Sequence, residues 1–452
     1  MAAADAENRP SLRVALLALS FAFLGGASMA YYHLGLFIPR VLELRAAKGL
    51  GNGYAFGDDF YPIWLTARQW QAARLDPYSP EITRDIQTGL FGRPLDARNP
   101  SDPPVDYREF AYPAFTDLLF WPAVALDFPK LRLVLVALLP ALTVASVWIW
   151  ILALEWRISP LWFVVLVVLI LCNYQLLEAF FAEQPGLIVG FLLASSALAL
   201  RRDRLVLAGI FVGLTLVKPQ MTLPVILYLL LWSLADKGRR RFAAGFAVTA
   251  LLLIGPSLVI WPHWVRQWVR VILGYHRYAT PSLVRLLPGE VLGPYVGPLA
   301  TAVLLGLGAA MAWRNRQART GSTLFWLTFS LLLAITSVTL LPGQAIYDHI
   351  ILLPAIFLLI QHRRALRAAG PLPRTLLTLG AIVLFFPWVA AFVVIVVRLC
   401  LAPGNFQSST IFTLPIRTTA SLPFAVLALL VAATTVNLAG DRGPSSASPS
   451  SS

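Results

Sequence analysis

Apolar residues dominate this chain in long uninterrupted runs, separated by short polar links instead of alternating with them. Runs of that kind, each approaching ~20 residues, read as membrane-crossing helices. The long ones fall at 12–37, 131–154, 161–181, 185–200, 242–261, 292–313, 323–341, 374–397 and 422–436. Three others, at 205–217, 221–234 and 350–360, hold about a dozen residues each and are short for a crossing helix. Two polar stretches stand out, 38–130 and 262–290. Residues 1–10 are polar, and 11–37 is too long for the apolar part of a signal peptide, so the first run is expected to be retained. Residues 440–452, rich in Ser and Pro, are expected to form a disordered tail. That leaves 1–439 as one membrane domain.

Composition narrows the class. The chain has 452 residues, 58% hydrophobic and only 13% charged, with a mean hydropathy of +0.72. A soluble domain with so few charges would not stay dispersed. The formal net charge of +14 does not point to nucleic acid, because the excess sits in short links between apolar runs. The densest are Arg201-Arg202-Asp203-Arg204, Lys237-Gly238-Arg239-Arg240-Arg241, 314–319 and 362–374. Placing all four in the cytoplasm satisfies the positive-inside rule. The reading is then an all-α polytopic membrane protein of about 12 helices, both termini inside, with 38–130 and 262–290 as extracytoplasmic loops. The stretch 112–128 is apolar but short, with Pro113, Pro122 and Asp117. A crossing there would invert the later links, so it is expected to be a re-entrant or interfacial helix.

Candidate chemistry collects on the outer side. Gly57-Asp58-Asp59-Phe60-Tyr61-Pro62-Ile63-Trp64 sets a carboxylate pair beside aromatic rings just past the first run. Such a pair suits general-base chemistry on a hydroxyl; as loop acids or a helix cap the two need no such role. Lys218 marks the apex of the thin hairpin 205–234. An ammonium at that depth needs a partner or a phosphate, unless it snorkels to the interface. Glu183-Gln184-Pro185-Gly186 forms an outer turn. In 262–290, Trp264, Arg266, Trp268, Arg270, Tyr275 and Arg277 interleave bases with aromatics, as an interfacial helix does. Tyr347-Asp348-His349 precedes a short apolar helix, and His349 is either a ligand-facing group or a satisfied interfacial histidine. Cys172 and Cys400 lie in or beside apolar runs without metal-ligand spacing, and Asp58-Asp59 alone supplies too few oxygens for a dedicated cation site.

Taken in order, several elements share a series. They are Asp58-Asp59-Phe60-Tyr61, Leu75-Asp76-Pro77-Tyr78, Phe110-Ala111-Tyr112-Pro113, Glu183-Gln184, Ala208–Leu214 leading to Lys218-Pro219, and Tyr347-Asp348-His349. This series resembles the GT-C membrane glycosyltransferases, and most of all the polyprenyl-phosphate-mannose-dependent mannosyltransferases of glycosyltransferase family 87. The likeness extends over 15–360. Two departures are visible: the family's Gly-Gln-x-Asn is Glu183-Gln184-Pro185-Gly186 here, and the proline usual after Tyr-Pro is Ala114. The resemblance implies inverting transfer of a sugar from a polyprenyl-phosphate donor to a glycolipid or glycan acceptor. It places the enzyme in the cell membrane, a bacterial inner membrane, with the site on the extracytoplasmic face and no cofactor. Asp59, which precedes Phe60, would be the base and Asp58 its substitute. Lys218, His349, Arg266, Arg270 and Arg277 would hold the donor phosphate, and Tyr61, Trp64, Tyr112 and Gln184 the sugar or acceptor. The sugar implied is mannose, and the rival within the class is a lipid-phosphate-dependent arabinosyl or other pentosyl transferase. The rival from another class is a secondary transporter or lipid flippase, against which no internal repeat is visible.

Overall fold

The computed structural model describes residues 12–51, 56–96, 98–99, 102, 108–275, 279–401 and 403–436. The expected tail 440–452 and Arg277 lie outside the described residues. Among the described residues there is no strand, only one isolated bridge between Ser282 and Pro342.

The first helix, α1 (Leu12–Ala47), outlasts the expected 12–37. Its turn Tyr31–Phe37 is wound as a π-helix directly before Pro39. Proline lacks an N–H and crowds the carbonyl one turn earlier, so a widened turn lets the helix pass it. The polar segment then forms α2 (Tyr61–Ala73), α3 (Pro80–Phe91) and the short α4 (Phe115–Phe120). Helix α5 (Phe128–Ala153) follows. The next run is broken into α6 (Pro160–Leu171) and α7 (Tyr174–Phe181), bent by 60°. Asn173 sits at the break and accepts a hydrogen bond from the Leu176 N–H at 2.7 Å, starting α7 as a new helix. Next come α8 (Gly186–Arg201), α9 (Leu205–Leu214), α10 (Leu223–Leu234) and α11 (Arg240–Ile260). They are followed by α12 (Trp264–Gly274), α13 (Leu283–Leu292), α14 (Val296–Arg314) and α15 (Thr323–Thr339). The chain closes with α16 (Leu353–Gln361), α17 (Pro371–Cys400) and α18 (Leu422–Thr435). Among the described residues six helices are long and apolar enough to cross a membrane, and the bent pair α6–α7 makes a seventh.

The basic links gather at one end of this bundle. Arg201 Nε donates to Glu155 at 3.0 Å. Trp232 Nε1 donates to the Ala318 carbonyl at 2.9 Å, and the Arg239 guanidinium lies 4.7 Å over the Trp232 ring. Gln361 Nε2 donates to the Leu154 carbonyl at 3.3 Å. The hairpin 205–234 also starts and finishes there. A Cβ on Gly245 would meet the Val206 carbonyl, one on Gly209 that of Phe242, and one on Gly213 the Thr249 side chain. From the Val206–Gly245 contact to the Gly213–Thr249 contact both numbers rise, with Gly209 set between Phe242 and Phe246, so α9 and α11 run parallel at backbone contact. Helix α10 must therefore carry the chain back, leaving Lys218 at the far turn.

The polar segment packs over that far end. Arg45, late in α1, lies 3.8 Å from Asp58, and the Phe128 ring, at the start of α5, is 5.0 Å from that of Tyr61. Residues 48–127 thus begin and finish at the same end. Within them α4 and its 3-10 extension through Ala125 advance only about 16 Å, half a hydrocarbon core. Helix α12 lies across this cap: Trp268 Nε1 donates to the Ala111 carbonyl at 3.1 Å and Gln267 Nε2 to Asp76 at 2.9 Å.

This arrangement predicts opposite accessibility for Ser159 and Thr88. In a background with Cys172→Ser and Cys400→Ser, cysteines at the two positions should react with an impermeant thiol reagent from opposite sides of sealed vesicles. Labelling of both from one side would contradict the fold.

Candidate active site

The acidic loop is pinned by its backbone. Gly57 adopts φ +84, its N–H donates to the Phe181 carbonyl at 2.8 Å, and the Asp59 N–H donates to that of Ala182 at 3.1 Å. A Cβ on Gly57 would stand 2.5 Å from Glu183 Oε2, so both the conformation and the space call for glycine. The loop is thereby fastened to the end of α7, and the two carboxylates are held by cations. Arg108 Nη1 donates to Asp59 Oδ1, and Arg108 Nη2 to Asp58 Oδ2 at 2.7 Å.

From Asp59 a chain of polar groups runs into the bundle. Gln184 Nε2 donates to Asp59 Oδ2, while Gln184 Oε1 accepts from Lys218 Nζ at 2.9 Å. The amide is oriented by its neighbours, N–H toward the carboxylate and oxygen toward the ammonium. Lys218 Nζ also donates to Asp348 Oδ1 at 2.7 Å and lies 5.2 Å from the centre of the Tyr347 ring. Only 7% of the Lys218 side chain and 1% of that of Asp348 are exposed. The approach depends on Gly186, where a Cβ would stand 2.4 Å from Asp348 Oδ1. Short 3-10 turns on either side of Lys218, Thr215–Val217 and Pro219–Met221, end the hairpin arms. Thr215 and Thr222 hydroxyls join across the apex at 3.1 Å.

Aromatic and acidic groups surround this chain. Tyr112 and Tyr347 both feel the charges of Asp59, Asp348 and Arg108. Burial, and then those carboxylates, hold the Tyr112 phenol well above its ordinary range. His349 is buried, and its Nδ1 has no hydrogen-bond partner among the described residues. Glu183 adopts the left-handed φ of +52 and is fully buried. Neither of its oxygens is hydrogen-bonded among the described residues, and Arg132 Nε approaches only to 3.8 Å. Burial pushes this carboxyl up to about 8, with Arg132 opposing the shift.

The structure thus brings together Asp58, Asp59, Gln184 and Lys218, with Tyr112 and His349 close by. Two sequence readings need correction. Tyr61 and Trp64 retain only 5% and 6% exposure, stacked on one another and packed edge-on and tilted against Phe128, and Trp64 Nε1 donates to the Leu126 carbonyl at 3.0 Å. They are core residues under the acidic loop and offer no open ring face to a sugar. Arg266 and Arg270 point away from the docked side of α12 and are exposed. Sequence reasoning missed Arg108, which clamps both aspartates, and the role of Asp348 as the partner of Lys218. The signal for Asp348 was Lys218 itself, since a buried lysine calls for a carboxylate.

Two variants probe this geometry. Gly186→Ala should push Asp348 off Lys218 and cost about 1–3 kcal/mol, as overpacking does; an unchanged melting temperature in detergent would contradict the contact. Glu183 keeps its proton in the folded chain until about pH 8 but loses it near 4.5 when unfolded. Its contribution is therefore full below the unfolded value and is lost as pH rises toward 8. The melting temperature should fall over that window, and Glu183→Gln should flatten the slope.

Comparison with known families adds an independent line. The family model for glycosyltransferase family 87 matches residues 110–342, more than half of the chain. The match takes in Gln184, Gly186 and Lys218, begins after Asp58-Asp59 and stops before Asp348. No curated protein and no solved structure gives a match. With sequence series, helical membrane fold and family model in agreement, the chain belongs to glycosyltransferase family 87.

Proposed function

We propose that the enzyme transfers a sugar, mannose foremost, from a polyprenyl-phosphate donor to an acceptor hydroxyl on the extracytoplasmic face, with inversion. The observation that carries this reading is the chain Asp59–Gln184–Lys218–Asp348, which joins a carboxylate to a buried ammonium. Asp59 is the base: each carboxylate oxygen has two lone pairs, so contacts to Arg108 and Gln184 leave room for an incoming hydroxyl. That hydroxyl gives its proton to Asp59 as its oxygen attacks the anomeric carbon opposite the phosphate. Phosphate leaves as an anion and needs no acid, only positive charge where charge develops. Lys218 supplies it, with His349 beside it. Arg266 and Arg270, exposed on α12, are given no part in the reaction.

Depth favours a lipid-borne donor. From Leu205 at the basic end, 13 residues lead to Val217, an advance of about 20 Å by helical rise, against a hydrocarbon core of about 30 Å. Lys218 therefore sits below the opposite interface, within reach of a phosphate whose tail stays in the bilayer. The side follows from the basic links: if they are cytoplasmic, Asp59 is outside.

The test is transfer by purified protein from synthetic polyprenyl-phosphate-mannose, compared with GDP-mannose. Asp59→Asn should lower turnover by about 10²–10⁴-fold, the range for losing a general base, while the protein still folds. Near-normal turnover would remove Asp59 from this role, and transfer from GDP-mannose alone would overturn the donor. Lys218→Arg should keep part of the activity because charge survives without the compact geometry. Lys218→Met paired with Asp348→Asn, which avoids a stranded buried carboxylate, should lower kcat with the acceptor KM little changed. An effect confined to the acceptor KM would move Lys218 away from the phosphate.

A further inference from the structure

Helix α7 supports the acidic loop and the Gln184 turn, but it does not continue a longer helix. The 60° bend after α6 cuts it off from that helix, so its placement has to be set by other contacts. Its last carbonyls, those of Phe181 and Ala182, accept from the N–H groups of Gly57 and Asp59, and the Gln184 N–H donates to the Ala179 carbonyl at 2.9 Å. A slide or rotation of α7 would therefore take Asp59 and Gln184 with it.

One side chain meets α7 at its start, middle and end. His33 lies in the π-helical turn of α1 and is fully buried. Its Nε2 donates to Glu178 Oε2 at 2.6 Å. Its ring lies 5.4 Å from that of Tyr174 and 6.1 Å from that of Phe181, edge to face with both. Positions 174, 178 and 181 are four and three residues apart, so they share one face of α7. The same turn supplies a second anchor, because Tyr32, equally buried, donates its hydroxyl to the Phe412 carbonyl at 2.8 Å. Single π-helical turns of this kind recur at functional sites.

Ring contacts tolerate small slides, whereas a hydrogen bond weakens steeply once its partners are displaced or misaligned. The His33–Glu178 bond is thus the contact that can fix the register of α7. An ionisable pair inside an apolar bundle is also costly, and by default it marks function. The proposed reaction gives neither residue a part. We propose that His33 is a positioning residue for the Asp59 site: its bond to Glu178 sets where α7 sits, and α7 sets the Gly57–Asp59 loop and Gln184. The effect on turnover rests on Asp59 being the base; the effect on the loop does not.

Full-length protein in detergent is read by hydrogen exchange over Gly57–Phe60, whose amides at 57 and 59 are held by α7 carbonyls, and by turnover with polyprenyl-phosphate-mannose. His33→Gln and His33→Asn introduce the same amide. Its nitrogen falls near the place of Nε2 in the first and of Nδ1 in the second, so only the glutamine reaches Glu178. His33→Gln should keep wild-type exchange and most of the turnover. His33→Asn should exchange faster and lose kcat at least about tenfold, since a displacement of about 1 Å can cost about 10²-fold, with donor and acceptor KM little changed. His33→Phe paired with Glu178→Leu removes the bond without stranding a carboxylate. It should keep the melting temperature and otherwise behave as His33→Asn does. Wild-type exchange in the folded His33→Asn and paired variants, or a loss in His33→Gln as large as in His33→Asn, would overturn the proposal. Faster exchange with unchanged turnover would leave the tie standing and count against Asp59 as the base.

Discussion

A single ammonium sets the terms for the interior of this protein. Lys218 is placed at the apex of a hairpin inside an apolar bundle, where an unpaired charge would be intolerable. It is satisfied by one carboxylate and one amide, Asp348 and Gln184, and each partner imposes its own condition on the backbone. Asp348 can close on Lys218 only because position 186 has no Cβ. Gln184 reaches it from a turn that begins with Glu183 in a left-handed conformation. The same turn receives the backbone of the Gly57–Asp59 loop. Lysine, turn and acidic loop are therefore one mechanical unit, although they lie far apart in sequence.

The two ends of the bundle solve opposite problems with the same residue types. At the basic end, charges sit on short links and are left largely to water and headgroups, where pairing contributes little. At the site end, the described charges that meet Asp58, Asp59 and Gln184 are paired. Arg45 and Arg108 face Asp58 and Asp59, and Lys218 faces Asp348. Such compensation is needed where water is scarce, because an unpaired partner there would cost several kcal/mol. Short helices make the second end possible. The arms of the 205–234 hairpin stop well before the far interface, which leaves space for the 48–127 cap to descend onto them.

How much of this is legible without coordinates follows from range. Helices are local, so hydropathy runs locate them, and even the failure of 112–128 to cross is implied by charge on the links around it. Lys218 stands out because it is a charge in a place that does not tolerate one cheaply, and Asp59 and Gln184 because of the short motifs that hold them. Their mutual contacts do not stand out, since Lys218 and Asp348 are 130 positions apart and no periodicity relates them. Arg108 is hidden for another reason: it lies in a polar stretch where an arginine is unremarked. Tyr61 and Trp64 mislead because aromatic rings beside acids suit both a sugar platform and a plug of core, and only burial distinguishes the two. The extra length of α1 is likewise invisible, as Pro39 reads as a stop until the π-helical turn before it is seen.

Charge balance connects this architecture to the proposed chemistry. Among the described residues three cations of the network, Arg45, Arg108 and Lys218, face three carboxylates, Asp58, Asp59 and Asp348. In the proposed transfer one proton moves onto Asp59 while one negative charge moves onto the departing phosphate, so the total charge of the occupied site is unchanged. What changes is where the hydrogen-bond donors are wanted. A protonated Asp59 holds Arg108 and the Gln184 amide less strongly, at the moment when phosphate oxygens need donors. The amide of Gln184 is linked through its own oxygen to Lys218, so weakening one end of the chain is felt at the other. A carboxylate and an ammonium joined by one amide can therefore keep base and phosphate site in step without any change in net charge, which matters most where water is scarce.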